Sequence, residues 1–247
     1  GVGWLSKPIA AYLRKFHNRT AFTMVPTQAM KYQLDAMGFK NLKVVARGVD
    51  THLFRPDKRS DVMRANWGVT SDTTVLLSVG RLAAEKNLDL TIQTYQALIA
   101  AGRRVKMVFA GDGPMRALTE TKCPDAIFMG MCSHEQLSTV YASADLLLFP
   151  SLTETFGNVT LEALASGTPV LAFDCAAASD FVIDHKNGWL VDSHEPQTYI
   201  QRALDITHDA HTLGLAREFT RTSVAHLGWD EIAAQVEDIF QRTIEMA

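Results

Sequence analysis

The 247-residue sequence lacks several features that define specialised classes of protein. No apolar run approaches the roughly 20 residues that a membrane-spanning helix needs. Positive charge is not in excess, because the net charge is −3, whereas a nucleic-acid-binding protein shows a basic patch. The three cysteines form no CxxC pair and the eight histidines show no ligand spacing, which argues against a disulfide framework and a zinc site. We therefore predict no metal site, no nucleic-acid partner and a reducing, cytoplasmic environment.

Short apolar runs that alternate with amphipathic segments form the main pattern of the chain. The apolar runs are residues 74–79, 105–110, 127–129, 146–149, 170–173 and 188–191. Strands that alternate with helices favour a parallel sheet with right-handed crossovers, so we predict an α/β fold with a doubly wound parallel sheet. Residues 1 to about 50 are predicted as helix, strand, helix and strand, and the chain from Glu195 onward is predicted to be helical.

Two glutamates surround the start of one predicted helix. The loop after the apolar run 146–149 holds Glu154, and a helix from about Asn158 to Gly167 carries Glu162. Ligands of open α/β sheets bind at the carboxyl ends of the strands, and the free N–H groups at a helix start favour an anion such as phosphate. This loop is therefore our first candidate for a binding site.

A second candidate loop follows the first strand of the main series. Gly80 permits a tight turn there, and it is followed by Arg81 and Lys86. Two cations at the carboxyl end of a strand suit a diphosphate, although the same residues could be solvated surface cations near Glu85. The segment 111–114, Gly-Asp-Gly-Pro, either wraps the edge of a nucleotide or is a plain turn before a helix, and the residues alone leave this open.

The sequence around the two glutamates is distinctive beyond their spacing. It has seven residues between Glu154 and Glu162, in a Glu-Thr-Phe-Gly-Asn-x-x-Leu-Glu-Ala-Leu-Ala-Ser-Gly-x-Pro-Val frame. This frame, placed between two strands, resembles the E-x7-E signature of the GT-B-fold, retaining glycosyltransferases of family 4. The resemblance extends over almost the whole chain and implies the Rossmann-like, C-terminal half of a GT-B fold.

The resemblance also implies roles for individual residues. Arg81 and Lys86 would contact the diphosphate of a nucleotide-sugar donor, and Glu162 would accept hydrogen bonds from the ribose hydroxyls, for which a carboxylate is well suited. Glu154 would orient the donor sugar and stabilise positive charge at its anomeric carbon. The implied catalytic set is Arg81, Lys86 and Glu154, and the implied donor-binding set is Gly80, Gly111, Gly113, Met131, Phe156, Gly157, Asn158, Val159 and Glu162.

The implied activity is transfer of a hexose, with retention of the α configuration, from a GDP- or UDP-sugar to a lipid or saccharide acceptor. The chain contains no Asp-x-Asp motif, which agrees with a metal-independent site in which fixed cations and a helix N-terminus stabilise the leaving diphosphate. No cofactor is expected besides the donor itself. The Ala-rich segment 174–180 resembles a subgroup that includes GDP-mannose-dependent α-mannosyltransferases acting on glycolipids.

The same resemblance suggests how the chain is divided. The segment from Gly48 to Pro56 resembles the family's connector between its two domains, so residues 1–52 are predicted to be the tail of an N-terminal acceptor domain with the connector, and residues 53–247 the nucleotide-sugar-binding domain. The rest of the N-terminal domain would be a missing partner, and without it the chain should transfer little. The basic, partly apolar first helix could contact the inner face of an anionic membrane; packing on the missing domain is the interpretation we favour.

Three other functions are alternatives to transfer. A sugar-nucleotide epimerase on the same fold would change the donor without needing an acceptor. A non-catalytic nucleotide-binding module would bind nucleotide without turnover. A dinucleotide oxidoreductase is disfavoured, because no Gly-x-Gly-x-x-Gly follows the strand at residues 74–79.

Overall fold

The chain forms two compact units. The computed structural model describes residues 6–154 and 156–245. The first unit combines the described residues up to Gly48 with those from Leu227 onward, and the second unit is Val49–His226. The unit boundary near residue 48 precedes the predicted domain boundary at 52/53, and the roles assigned to the two domains stay predictions.

The helices and strands follow the predicted alternation. The helices are α1 (Ser6–His17), α2 (Gln28–Ala36), α3 (Asp61–Asn66), α4 (Leu88–Ala100), α5 (Arg116–Lys122), α6 (His134–Ser143), α7 (Asn158–Ala165), α8 (Ala176–Phe181), α9 (Pro196–Ile206), α10 (Ala210–Val224) and α11 (Trp229–Glu245). The strands are β1 (Thr23–Val25), β2 (Leu42–Val44), β3 (Thr74–Val79), β4 (Val105–Ala110), β5 (Ile127–Gly130), β6 (Leu146–Phe149), β7 (Val170–Phe173) and β8 (Gly188–Val191). The helical C-terminal region is divided into three helices, α9 to α11.

The first unit is built on a two-stranded parallel sheet of β1 and β2. Its small core contains Val25, Phe39 and Leu42, all buried. Thr27 caps α2, because its hydroxyl oxygen accepts a hydrogen bond from the N–H of Met30 at 3.1 Å. That bond satisfies one of the N–H groups that a helix start leaves unpaired.

The last helix, α11, belongs to the first unit, whereas the sequence analysis grouped it with the second domain. The ring of Trp229 lies against Gly48, where an added Cβ would be 2.6 Å from the ring atom Cδ2. The side-chain amide of Gln235 donates to the carbonyl of Val44 at 3.3 Å. The apolar side chains of α11 are only partly buried: Ile239 is buried, whereas Phe240 is 58% exposed.

Helix α1 presents an apolar surface within this unit. Its side chains Ile9, Tyr12, Leu13 and Phe16 are between 41% and 69% exposed. Within residues 6–154 and 156–245, no helix combines the length and the apolar character that crossing a membrane requires.

The second unit contains a six-stranded, fully parallel sheet in the order β5-β4-β3-β6-β7-β8. Strand β3 pairs with β4 on one side and with β6 on the other, so the strand order reverses between β3 and β6. This is the switch point at which doubly wound sheets bind their ligands. The predicted doubly wound parallel sheet is confirmed.

Burial of the central strands explains why their sequences are uniformly apolar. Every residue of β6 and β7 is buried, although successive side chains of a strand point to opposite faces. Helices therefore cover both faces, as parallel sheets require. On one face, Leu98 of α4 and Tyr199 of α9 share a core cluster with Leu76 and Leu148.

Candidate active site

The loops that leave the carboxyl ends of β3 and β6 meet at the switch point of the sheet. The ammonium group of Lys86, in the first loop, forms an ion pair with Oε1 of Glu154, in the second. The two side chains are 21% and 12% exposed, respectively. The Lys86 ammonium also lies 5.5 Å from the ring centroid of Phe149, the last residue of β6, a distance at which cation and ring attract. One predicted cation and one predicted carboxylate are thus in direct contact.

The loop that carries Glu154 is fixed by Ser151. The buried Ser151 hydroxyl lies 2.8 Å from Oε1 of Glu154 and 3.3 Å from the carbonyl oxygen of Glu85. The backbone N–H of Leu152 donates to the same Glu85 carbonyl at 3.1 Å. These bonds join the β6 loop to the β3 loop, so the position of Glu154 depends on both. Thr155, the next residue, lies outside the described residues.

Helix α7 begins directly after this loop. Gly157 occupies its N-cap position with φ of 91°, a left-handed conformation, and has no side chain to cap the first-turn N–H groups. An added Cβ at Gly157 would lie 3.8 Å from Cγ of Glu154, so the helix start and the carboxylate are neighbours. The uncapped positive end of α7 can receive an anion through backbone groups near Asn158 and Val159.

The side chains at the start of α7 differ in what they can contribute. Phe156 is buried, packs edge-on against Phe181, and accepts from the Ala177 N–H through its carbonyl at 2.8 Å. Phe156 can therefore offer a ligand only its backbone N–H. The Oδ1 atom of Asn158 is buried without a hydrogen-bond partner among the described residues, and such an atom usually has one.

Glu162 lies on α7 and is held by a tyrosine from α6. The Tyr141 hydroxyl donates to Oε2 of Glu162 at 2.9 Å, and Tyr141 is fully buried. Burial raises the pKa of Glu162, whereas the Tyr141 hydrogen bond and the charge of His134 lower it. One carboxylate oxygen is thus committed to Tyr141, which leaves the other to accept from a ligand.

Arg81 lines a cleft together with Gly80, where an added Cβ would lie 3.5 Å from Cε of Lys86. The cleft has a volume of about 460 Å³ and is lined by residues of the loops after β3, β4 and β5, including Gly80, Arg81, Gly111 and Met131. Met131 is 80% exposed. The structure therefore brings four of the predicted residues to one cavity, at the same edge of the sheet as Lys86 and Glu154.

Gly111 and Gly113 have a structural reason to be glycine. An added Cβ at Gly113 would lie 2.5 Å from the carbonyl oxygen of Leu82, and one at Gly111 would lie 2.8 Å from the carbonyl carbon of Gly80. Both glycines let the β4 loop approach the β3 loop closely. Gly111 also lines the cleft, and a direct contact of either glycine with a nucleotide stays a prediction.

Tyr141 and Ser151 were missed by the sequence analysis. Ser151 is the second residue after β6, so its place at the carboxyl end of a strand was a signal that could have been used. Tyr141 lies inside a helix that opens with a capping box of Ser133 and Gln136, and nothing in the sequence ties it to Glu162. Among the described residues, no three His, Cys, Asp or Glu side chains are grouped closely enough to hold a metal ion.

Comparison with known proteins identifies the family. The sequence profile described as glycosyl transferases group 1 matches residues 73–209. The chain belongs to this family, and its sheet is the doubly wound, Rossmann-like sheet of GT-B glycosyltransferases.

Curated relatives and solved structures agree with this assignment. The GDP-mannose-dependent alpha-mannosyltransferase of Mycobacterium tuberculosis is 32% identical over 252 residues, which cover 100% of this chain and 64% of that protein. Sulfoquinovosyl transferase SQD2 of Arabidopsis thaliana is 29% identical, over 95% of this chain and 47% of that protein. The structure of Anabaena Alr3699/HepE in complex with UDP and glucose aligns with a TM-score of 0.80 and 20% identity, over 98% of this chain and 69% of that one. The chain thus spans between about half and two thirds of the length of these curated relatives.

Proposed function

We propose that this chain is the donor-binding part of a retaining glycosyltransferase that moves a hexose from GDP-mannose or a UDP-hexose to a lipid or saccharide acceptor. The observation that carries the proposal is the contact of Lys86 with Glu154 at the switch point of the sheet, beside the start of α7. The group 1 profile supports a glycosyl transfer reaction. The relative's use of GDP-mannose and the UDP bound by the structural neighbour support the two donor classes.

The proposed reaction places negative charge where the site is positive. The bond between the anomeric carbon and the diphosphate oxygen breaks, and charge develops on the departing phosphate. Arg81, Lys86 and the N-terminus of α7 would stabilise that charge, as preorganised cations and dipoles do in other sites. In this proposal no metal ion is needed for the departure of the diphosphate.

Retention would follow from attack on the same face of the sugar that the diphosphate leaves. The acceptor hydroxyl forms the new bond to the anomeric carbon while its proton passes to an oxygen of the departing phosphate. Glu154 would orient the sugar and stabilise the positive charge at the anomeric carbon. A double displacement needs a nucleophilic carboxylate close to a second acid, whereas Glu162 is assigned here to the ribose.

The remaining contacts of the proposed enzyme lie outside the donor site. The exposed apolar side chains of α1 would be covered by the rest of the acceptor-binding domain, because the matched relatives are longer than this chain. We place the enzyme in the cytoplasm, where a glycolipid acceptor would bring it to the inner face of the membrane.

Binding of nucleotide sugars by the 247-residue chain tests the proposal. We expect GDP-mannose or UDP-glucose to raise the melting temperature of the chain, because a ligand that binds only the folded state stabilises it by mass action. ADP-glucose and NAD serve as control nucleotides, which are not expected to bind the site. Transfer to added acceptors should be slow, since in this proposal the chain supplies only the donor-binding part. If no GDP- or UDP-sugar shifts the melting temperature, the proposed donor site is wrong. If the chain epimerises the sugar of the donor without any acceptor, the protein is an epimerase and not a transferase.

Glu154→Gln separates the sugar contact from the diphosphate contact. The change removes the ion pair with Lys86 but keeps the size of the side chain, so Lys86 stays available for phosphate. We expect the affinity for the nucleotide sugar to fall about tenfold, because hydrogen bonds to a charged group contribute about 1.5–3 kcal/mol, while the affinity for the matching nucleoside diphosphate is retained or rises. Calorimetry on the variant and on Glu218→Gln, an exposed glutamate of α10, measures both ligands. Equal losses for both ligands would assign Glu154 to the diphosphate and not to the sugar.

A further inference from the structure

A second cavity lies at the edge of the sheet opposite the proposed donor site. It has a volume of about 340 Å³, and its lining includes Arg59, Arg64, Arg217 and Asp145 together with the segment 71–74. Residue 74 begins β3 and residue 145 immediately precedes β6. The strands of a parallel sheet all begin at one edge and end at the other, so this arginine pocket does not belong to the cleft of Arg81 and Glu154.

Asp145 forms ion pairs with two of the three arginines, Arg59 and Arg64. Arg64 lies 2.9 Å from Oδ2 of Asp145, and Arg59 lies 2.9 Å from Oδ1. Oδ2 also accepts from the backbone N–H of Val75 at 2.8 Å. The second carboxylate of the lining, Asp72, is paired with Arg104. Both carboxylates of the pocket are therefore committed to other partners.

Arg217 has no carboxylate partner among the described residues. Its Nη2 atom donates to the carbonyl oxygens of Ala144 at 2.6 Å and Ala142 at 3.4 Å, and its Nη1 and Nε atoms make no hydrogen bond in the described part of the chain. Burial, together with the charges of Arg59 and Arg64, lowers the pKa of Arg217 to about 10, and the charge of Asp145 opposes this shift in part. The guanidinium is therefore held in a half-buried pocket with more positive than negative charge.

We propose that the arginine pocket binds a phosphate-type dianion, either free inorganic phosphate or the phosphate group of a small monoester. A dianion would supply the negative charge that Arg217 lacks, and guanidinium groups bind phosphate oxygens through paired N–H donors. Arg59 retains its Nε donor for the same anion, because its hydrogen bonds to the described residues use Nη1 and Nη2 only. Hydroxyl groups of the segment 71–74 add further donors to the lining.

Titration of the 247-residue chain with inorganic phosphate at constant ionic strength tests this site. We expect Arg217→Gln to weaken phosphate binding at least tenfold, while Arg55→Gln, which removes an equally charged but exposed side chain, leaves it unchanged. The glutamine can still donate to the helix-end carbonyls, which favours folding of the variant. A parallel titration with glycerol phosphate distinguishes free phosphate from a monoester as the better ligand. Equal weakening in both variants would mean a general effect of charge and would overturn the proposal.

The proposed donor site also contains cations, so the two sites must be separated. Phosphate should still bind when UDP or GDP saturates the donor cleft, and it should still bind to Arg81→Gln. Changes in the amide NMR signals of the unaltered protein on addition of phosphate provide a second readout, which does not require any variant to fold. Shifts centred on residues 71–74 and 142–145 would support phosphate binding in the arginine pocket. Shifts confined to residues near Gly80 and Gly157 would overturn it, whether or not the proposed glycosyltransferase function is correct.

Discussion

Replacing Gly111 with alanine should lower the free energy of unfolding by about 3 kcal/mol or more, because two penalties combine at this position. The backbone φ of Gly111 is 137°, a conformation that costs a residue with a Cβ about 1–3 kcal/mol. The added Cβ would also lie 2.8 Å from the carbonyl carbon of Gly80 and closer still to its oxygen. Overpacking of this kind costs about 1–3 kcal/mol more.

Neither neighbour of Gly111 can move away easily. The N–H of Gly80 donates to the Ala110 carbonyl at 3.0 Å, and the N–H of Gly111 donates to the Gly130 carbonyl at 2.8 Å. A shift of the loop would break these bonds and deform the cleft that Arg81 and Met131 line. We therefore expect nucleotide-sugar affinity to fall together with stability.

Gly214→Ala is the matched control for this experiment. Gly214 lies within α10, and an added Cβ there has no heavy atom within 4 Å. Alanine in a helix interior is favoured over glycine by about 0.5–1 kcal/mol, so this variant should be slightly more stable than the unaltered protein. The melting temperatures of the two variants should differ by at least about 6 °C, because 1 kcal/mol corresponds to about 2–4 °C for a chain of this size. A Gly111→Ala melt close to that of Gly214→Ala would contradict the close approach of the two loops.

The sheet could be predicted because its strands are buried on both faces. The runs that became β6 and β7 are apolar at every position, and such short continuous runs between helical segments indicate a parallel sheet. Parallel strands place their carboxyl ends at one edge, so loops far apart in the sequence could be expected to meet. Lys86 and Glu154 are 68 residues apart and form the ion pair; their catalytic roles stay predictions.

Other parts of the site depend on packing that the sequence pattern does not record. Tyr141 occupies a buried position of α6, and its apolar ring fits a helix core whether or not its hydroxyl has a partner. That Glu162 is the partner follows only from the way α6 and α7 pack. Likewise, the amphipathic pattern of α11 predicts a helix with one buried face, but not which of the two units it packs on.

Glu162→Ala should lower the affinity for nucleotide sugars by about 100-fold or more. The variant loses the carboxylate oxygen that we assign to the ribose hydroxyls, and hydrogen bonds to a charged acceptor contribute about 1.5–3 kcal/mol each, where 2.7 kcal/mol corresponds to about 100-fold. It also leaves the buried Tyr141 hydroxyl without its partner. Calorimetry with the nucleotide sugar and the matching nucleoside diphosphate should show the loss for both, since both contain the ribose. Glu218→Gln, on the exposed face of α10, should bind as the unaltered protein does.

The hydrogen bond from Tyr141 to Glu162 allows the same assignment to be tested through pH. Burial raises the pKa of Glu162 and the Tyr141 hydrogen bond lowers it, so Tyr141→Phe should raise this pKa further. Because a protonated carboxyl is a poorer acceptor for ribose hydroxyls, affinity should fall as the pH is lowered through the pKa of Glu162. That fall should begin at a higher pH in Tyr141→Phe, and the affinities of the two proteins should converge once the pH lies well above both pKa values of Glu162. Glu162→Gln, which has no proton to gain, should show no such acid-dependent loss. Two results would contradict this assignment: a pH profile of affinity that is unchanged in Tyr141→Phe, or a loss of affinity at low pH that persists in Glu162→Gln. Either result would mean that another group titrates and that Glu162 does not bind the ribose.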